Sequence, residues 1–426
     1  MDQSIIRISK VSCPAPASVG TRGVIRLMPG PRNSVTSRRA RICVCFLLSA
    51  VFPRPTCGLS NICLPGTALA VACRDVDVRN VKALIMGPHE TPYEFGFFES
   101  LLSTNPYENE PGFEDANEES DKKAQKDYVQ KIRHETLRIS VIQRLEGYLG
   151  LSPDGYQHGS GARDPDEIDD DDIDESSVPF EPFKDLCKRR FLWYYESYLA
   201  TIQLGKSEVK DGQHFVRMPF ESPNNNSMDG RFNYTELERR LRNIKSAIDA
   251  EPQVWAEEGL ASKARESTVA VNLQHQFEQV VESFKRSDMP HDVFLENGNP
   301  FVWVITYFGR PMTNLDGGLF RIKMNFSPRF PDEQPRVKFE SKIFHHYIAA
   351  DGTACYTPNP MRREDVKSHI EAIFAFLEED EPAYDPRKIV NPEASKMYWG
   401  GAADDRKKYN RRLRRSVQQS MEDFPE

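Results

Sequence analysis

Cysteine is scarce where the chain has body. Of the 8 cysteines in 426 residues, only Cys187 and Cys355 lie beyond residue 73. So thin a supply excludes a disulfide scaffold and fits a reducing compartment, cytoplasmic and/or nuclear. Long apolar runs are lacking too. Ile42 to Phe52 is the longest, roughly half of the ~20 residues that a spanning helix needs, so no membrane partner is expected. A net charge of -8 gives no bias toward nucleic acid. Acids are nearly missing at the start, where Asp2 is the only one before Asp75.

The other six cysteines crowd into residues 1–73, among Arg, Ser and Pro. Cys43-x-Cys45 and Cys57…Cys63 lack the paired C-x-x-C spacing of a zinc site, so no metal is expected. Residues 1–75 read as a disordered or mis-translated segment, with a targeting peptide as the rival reading.

Beyond residue 75 the chain carries the patterns of regular structure. From Arg79 to Phe98 the sequence predicts one or two strands and a tight turn, with Val81, Ala83 and Ile85 alternating and Gly87-Pro88 as turn chemistry. Ile132, Thr136, Ile139, Ile142 and Leu145 recur at helical spacing. Asp164 to Glu175 is an acidic run that repels itself, and 151–180 reads as a linker. Phe183 to Ile202 predicts a helix whose aromatics Phe191, Trp193, Tyr194, Tyr195 and Tyr198 make a packing face. Tyr234 to Ala250 predicts another, capped by Asn233.

The last third predicts a helix over Leu273 to Phe284, then strands. In Phe320 to Phe326 apolar residues fall strictly on alternate positions, as do Val337 and Phe339. That period of two means a sheet with one buried and one wet face. A helix comes next with Val366, Ile370, Ile373, Phe374 and Leu377 on one side, and a charged helix closes the chain near Asp404 to Met421. The fold class is α+β: a four-stranded antiparallel meander flanked by helices, with a helix-rich middle region. There is also an internal repeat. ALIMGPHETPYEFGFF (83–98) and VITYFGRPMTNLDGGLF (304–320) share a strand, a Gly turn, a Thr, and a Gly shortly before a Phe.

Gly317-Gly318-x-Phe320, Phe330-Pro331-x-x-x-Pro335, Lys342-Ile343-Phe344-His345, Asp351-Gly352-x-x-Cys355, Asp385-Pro386 and Asn391-Pro392-Glu393-Ala394-x-x-Met397-Tyr398 succeed one another in the order of the ubiquitin-conjugating enzyme (UBC) family, which residues 269–426 resemble. The earlier segment, with NPYENEPGFE and Ile132 to Thr136, resembles the family's large enzyme Z type. The stretch that would carry its cysteine is absent between Phe98 and Ser100. The chain thus reads as tandem: a truncated first copy over 76–150, the linker, a helical extension over 181–262, and a divergent second copy.

The resemblance implies transfer of ubiquitin or a ubiquitin-like modifier through a cysteine thioester. The partners are that modifier, an activating enzyme that uses ATP, and a ligase. No cofactor is bound. Thiolate suits the step as nucleophile and leaving group, and the oxyanion needs a donor. Cys355 matches the nucleophile; a buried core cysteine is the other reading. His345 matches the structural histidine of the family's His-Pro-Asn motif, but His346 and Tyr347 stand where it has Pro and Asn. Imidazole or phenol could serve as the donor, or both could simply pack. Asp385 falls in the acidic loop that the family places near the cysteine, where it is either an assisting carboxylate or a solvated acid. Asp332 replaces an aromatic used to dock ligases. The alternative function is a catalytically inactive UBC-fold module that binds ubiquitin or a partner noncovalently. Arg and Lys near residues 407–415 read as a solvated face, with nucleic-acid binding the unfavoured rival.

Overall fold

The structure, a computed structural model, describes residues 62–63, 69–73, 81–99, 119–152, 181–217, 229–286, 291–379, 381–401 and 403–422. The acidic run, the 105–111 loop and the arginine-rich start lie outside the described residues. By contacts the chain divides into a unit of residues 1–62 and 71–83 and a unit of residues 63–70 and 84–426. In the first, only short strand segments are described.

Strands β1 (Ile62–Cys63), β2 (Leu69–Cys73), β3 (Val81–Met86) and β4 (Phe97–Glu99) precede the first described helix. Between Arg79 and the start of α1 the two strands β3 and β4 are those that the sequence predicts. The sequence reading is corrected upstream, where the stretch 1–75 holds strands at its end. The alternation read at Val81 to Ile85 had no counterpart in the uniformly apolar β1 and β2, which carry no polar residue to mark a period of two. Strand β3 pairs antiparallel with β4, Ile85 opposite Phe98.

Helix α1 (Glu119–Glu135) runs into a π-helical segment, Thr136–Gln143, and then α2 (Arg144–Leu149). Thr136, Leu137, Val141 and Ile142 are buried, whereas Ile139 is 47% exposed. The wider π turn shifts the phase of the buried face, so an α-period reading misplaced Ile139. Helix α3 (Lys184–Glu208) buries Phe191, Trp193, Tyr194 and Tyr198 of its predicted stripe, while Tyr195 is only half-buried. Helix α4 (Tyr234–Ala264) starts where expected, with Asn233 Oδ1 accepting from the Glu236 N–H at 3.0 Å. It does not stop at Ala250. Pro252 lies inside it, a residue that normally ends a helix. Beyond it, tertiary contacts hold the helix: Asn299 Nδ2 donates to Ala256 O at 2.9 Å, and Gly259 lies against Phe301.

Helix α5 (Thr268–Arg286) leads into the meander β5 (Asp292–Leu295), β6 (Val302–Phe308), β7 (Leu319–Asn325) and β8 (Arg336–Phe339). Every neighbour is antiparallel. The registers align Val293, Ile305, Ile322 and Phe339 in one row, all buried. Helices α6 (Val366–Glu378), α7 (Pro392–Trp399) and α8 (Ala403–Glu422) complete the chain. This is the α+β meander that the alternation predicts. Its outer face is not simply wet. Lys338 pairs with Asp249 of α4 at 3.2 Å and Lys245 with Asp351 at 2.7 Å, so α4 lies over part of it.

The repeat has a geometric counterpart. Gly87 N–H donates to Gly96 O at 2.9 Å, and Gly309 N–H to Gly318 O at 2.8 Å. Thr91 Oγ1 donates to Pro88 O and Thr313 Oγ1 to Arg310 O, each at 2.7 Å. A Cβ at Gly87 would lie 1.5 Å from Tyr93 O, and one at Gly309 would lie 1.7 Å from Leu315 O. Only glycine admits so close a backbone. Gly309→Ala is expected to cost about 3 kcal/mol, at the upper end of overpacking, read from a chemical melt.

Candidate functional site

Cys355 comes just after a turn that glycine permits. Gly352 has φ +85°, and a Cβ there would meet Phe339 O at 2.2 Å. Asp351 Oδ1 accepts from Thr353 N–H at 2.9 Å, and Gly352 O accepts from Phe339 N–H at 2.8 Å. The strip then runs beside β8, with Ala354 N–H on Val337 O at 3.3 Å and Cys355 N–H on Tyr347 O at 2.8 Å. Sequence thus places Cys355 on rigid backbone.

That strip is roofed by α3. Trp193 Nε1–H donates to Ala354 O at 3.1 Å, and the Tyr194 hydroxyl donates to Arg387 O at 2.9 Å. Cys355 is left 3% exposed. Burial pushes its thiol up to about 12, against the pull of Arg190 and Lys388 and with a push from Asp385. Almost no thiolate exists at neutral pH under those conditions.

The residues expected to support the cysteine are spent on packing and turns. His345 Nδ1 accepts from Tyr347 N–H at 3.1 Å, a turn-holding role, and burial drives it down to about 3. His346 Nδ1 meets the Tyr409 hydroxyl at 2.9 Å. Its ring is packed by Tyr398 and Trp399, each at 4.7 Å, and its buried Nε2 has no partner. Tyr347 packs against Phe376 and Trp399, and burial raises its phenol well above the ordinary value. What it offers Cys355 is its backbone carbonyl. Asp385 caps the short turn Pro386–Lys388 and binds Arg387 Nε at 2.8 Å and Nη2 at 3.0 Å. Burial pushes its carboxyl up, but the bonds from Arg387 outweigh that and leave it below the usual range.

Sequence reasoning missed the partners of the roof. Arg336 of β8 binds Asp185 at 2.8 Å and Glu251 at 2.9 Å. Asp185 also takes Arg189 at 2.9 Å, and Glu251 takes Lys188 at 2.5 Å. This buried network clamps α3 and α4 onto the meander. The only signal was the aromatic stripe, which does not say what it packs against. On α8, Arg412 pairs with Glu393 and Arg406 lies over the Tyr398 ring at 3.4 Å, leaving Lys407, Arg411, Arg414 and Arg415 exposed. Among the described residues no acidic, His or Cys cluster could hold a metal, and no helix is long and apolar enough to cross a membrane.

The ubiquitin-conjugating enzyme family model matches residues 272–417. "Ubiquitin-conjugating enzyme E2 1" of Caenorhabditis elegans is 31% identical over 131 residues, which are 30% of this chain and 64% of the worm protein. "Ubiquitin-conjugating enzyme E2 2" of Neurospora crassa is 31% identical over 128 residues, 29% of this chain and 80% of its own. The match therefore spans less than two thirds of the worm protein. A crystal structure from Plasmodium yoelii, assigned as a ubiquitin conjugating enzyme, is 20% identical with a TM-score of 0.30. It covers 36% of this chain and 96% of its own.

Proposed function

Since the chain belongs to the ubiquitin-conjugating enzyme family, we propose that in the form described it is a closed UBC-fold module that binds ubiquitin noncovalently. The burial of Cys355 carries this reading. A modifier's C-terminal carboxyl cannot reach a sulfur that is 3% exposed. Nor do the side chains that replace the family's Pro-Asn supply an oxyanion donor, because His346 and Tyr347 are committed to aromatic packing.

Thioester transfer through Cys355 is the second reading. One observation favours it: the wall over the sulfur comes from α3, outside residues 272–417. On that reading the partners would be an ATP-using activating enzyme and a ligase. The ligase would dock without the aromatic residue that Asp332 replaces. The tandem, enzyme Z-like ancestry with a truncated first copy belongs to the proposal too. It is supported by three backbone hydrogen bonds that the turns at Gly87 and Gly309 share at equivalent positions. A cytoplasmic or nuclear location would suit either reading.

Incubating the full chain with activating enzyme, ATP and ubiquitin should give no reductant-sensitive adduct at Cys355. Saturable ubiquitin binding should survive Cys355→Ala. An adduct on the unaltered chain would overturn the closed-module reading.

A further inference from the structure

Two thiols among the described residues are buried. Cys187 is on α3, next to Tyr198, and Cys355 is on the strip that α3 roofs through Trp193. The roof is unusual in what makes it. The meander takes its strand pairing entirely from residues after 268, so α3 completes no strand of that sheet. Over the cysteine strip, α3 is held by two bonds to backbone carbonyls, Trp193 to Ala354 and Tyr194 to Arg387, and at its start by the charges around Arg336. The two carbonyl bonds over the strip can be exchanged for water or for another partner, whereas a core row such as Val293, Ile305, Ile322 and Phe339 cannot.

The other face of α3 grips the early segment. Tyr194 stacks on Phe95 with ring centroids 4.0 Å apart and an angle of 6°, and the Tyr198 hydroxyl donates to Phe95 O at 2.9 Å. Phe95 has φ 53° in the turn that Gly87 closes, a left-handed conformation uncommon for a bulky residue. One side chain, Tyr194, therefore touches both the Gly87 turn and the loop beside Cys355.

We propose that α3 is an intramolecular cap on Cys355, held shut in part by the Phe95 turn, and that its release uncovers the thiol while the meander stays folded. This goes beyond the closed-module reading, which describes only the shut form. Regulation would then act from the early segment: whatever displaces the Phe95 turn loosens Tyr194 and opens the strip. The truncated first copy would have a task as the latch on the second copy's cysteine.

Alkylation of the full chain by iodoacetamide, read peptide by peptide in a mass spectrometer, tests this. Cys355 of the unaltered protein should label slowly. With Trp193→Ala and Tyr194→Ala together it should label at least tenfold faster. Phe95→Ala, which leaves α3 intact, should accelerate Cys355 as well. Glu196→Ala, on the exposed side of α3, should leave that rate unchanged. Equal Cys355 rates in the unaltered and doubly substituted proteins would overturn the proposal. Should the double variant fail to fold, the unaltered protein decides. Labelling of Cys355 in sub-denaturing urea should rise with a slope smaller than that of global unfolding. A slope equal to the global one would mean that the thiol is released only with the whole core, and the cap would be refuted.

Discussion

Arg336→Met is expected to cost about 3–5 kcal/mol, the usual penalty for breaking a buried ion pair from one side. The guanidinium is 7% exposed and faces two carboxylates, Asp185 at 2.8 Å and Glu251 at 2.9 Å. It also lies over the Trp255 ring at 4.8 Å. Burial alone would raise the Asp185 carboxyl, yet Arg336 and then Arg189 hold it below its ordinary value. Methionine fills the volume but leaves both acids with weaker compensation, so the loss should exceed that of any surface pair, which is at most about 1 kcal/mol. Adding Asp185→Asn removes one uncompensated charge. The double variant should therefore lose less than the two single variants summed, with a coupling of about 1 kcal/mol or more. Chemical denaturation of the four proteins measures this. Additive losses would show that Arg336 acts through packing against Trp255 rather than through charge.

That network marks the limit of what the sequence discloses. The alternation in Phe320 to Phe326 fixes which residues face the core, because a strand's period is two and only one register buries Phe320, Ile322 and Met324 together. Asn233 announces a helix start because its side chain accepts from the backbone three residues on. Such local signals need no knowledge of the partner. Arg336, Asp185 and Glu251 are far apart in sequence and meet only because α3 and α4 lie on β8. As isolated charges they look like solvated surface residues. The overrun of α4 past Pro252 has the same cause: the residues that hold it, Asn299 and Phe301, belong to another element.

The site divides in the same way. Asp351-Gly352 could be read as the turn before Cys355, since only glycine suits φ +85°. Asp385 and the two histidines could be placed near the strip by resemblance. Their states could not. Whether Tyr347 offers its phenol or its carbonyl depends on Phe376 and Trp399, which come from later helices. Whether Cys355 is open depends on α3, which comes from about 160 residues earlier in the chain. Burial by a distant segment leaves no periodicity at the buried position.

Acid should unfold the C-terminal meander domain well above the carboxylate range, and this is the largest effect expected. His345 is held down to about 3 and His369 to about 4, and His346 is lowered further by burial and by its neighbour His345. Each is buried as neutral imidazole, while the unfolded chain takes up the proton near 6.5. The folded values are depressed, so the stability linked to these groups is fully present above about pH 6.5 and is lost as pH falls toward the folded values. In that window the unfolded state binds more protons, at about 1.4 kcal/mol per pH unit for each imidazole. By pH 5 three of them cost about 6 kcal/mol, comparable with the 5–15 kcal/mol of a whole domain. His291, also lowered by burial, adds in the same direction. Asp185, Asp351 and Asp385 have depressed carboxyls, and their contribution disappears only below about pH 4, so the two windows separate. Urea midpoints should be flat from pH 8 to 7 and fall steeply from 6.5 to 5. In that range the drop in unfolding free energy should track the uptake of about three protons. His346→Phe keeps an aromatic ring in the nest of Tyr398, Trp399 and Tyr409 but cannot take up a proton. Whatever it does to the absolute stability, it should lower the pH slope by about one proton, near 1.4 kcal/mol per pH unit. A flat profile down to pH 5 would mean that these imidazoles accept protons in the folded state, and that the nest around His346 is open to water.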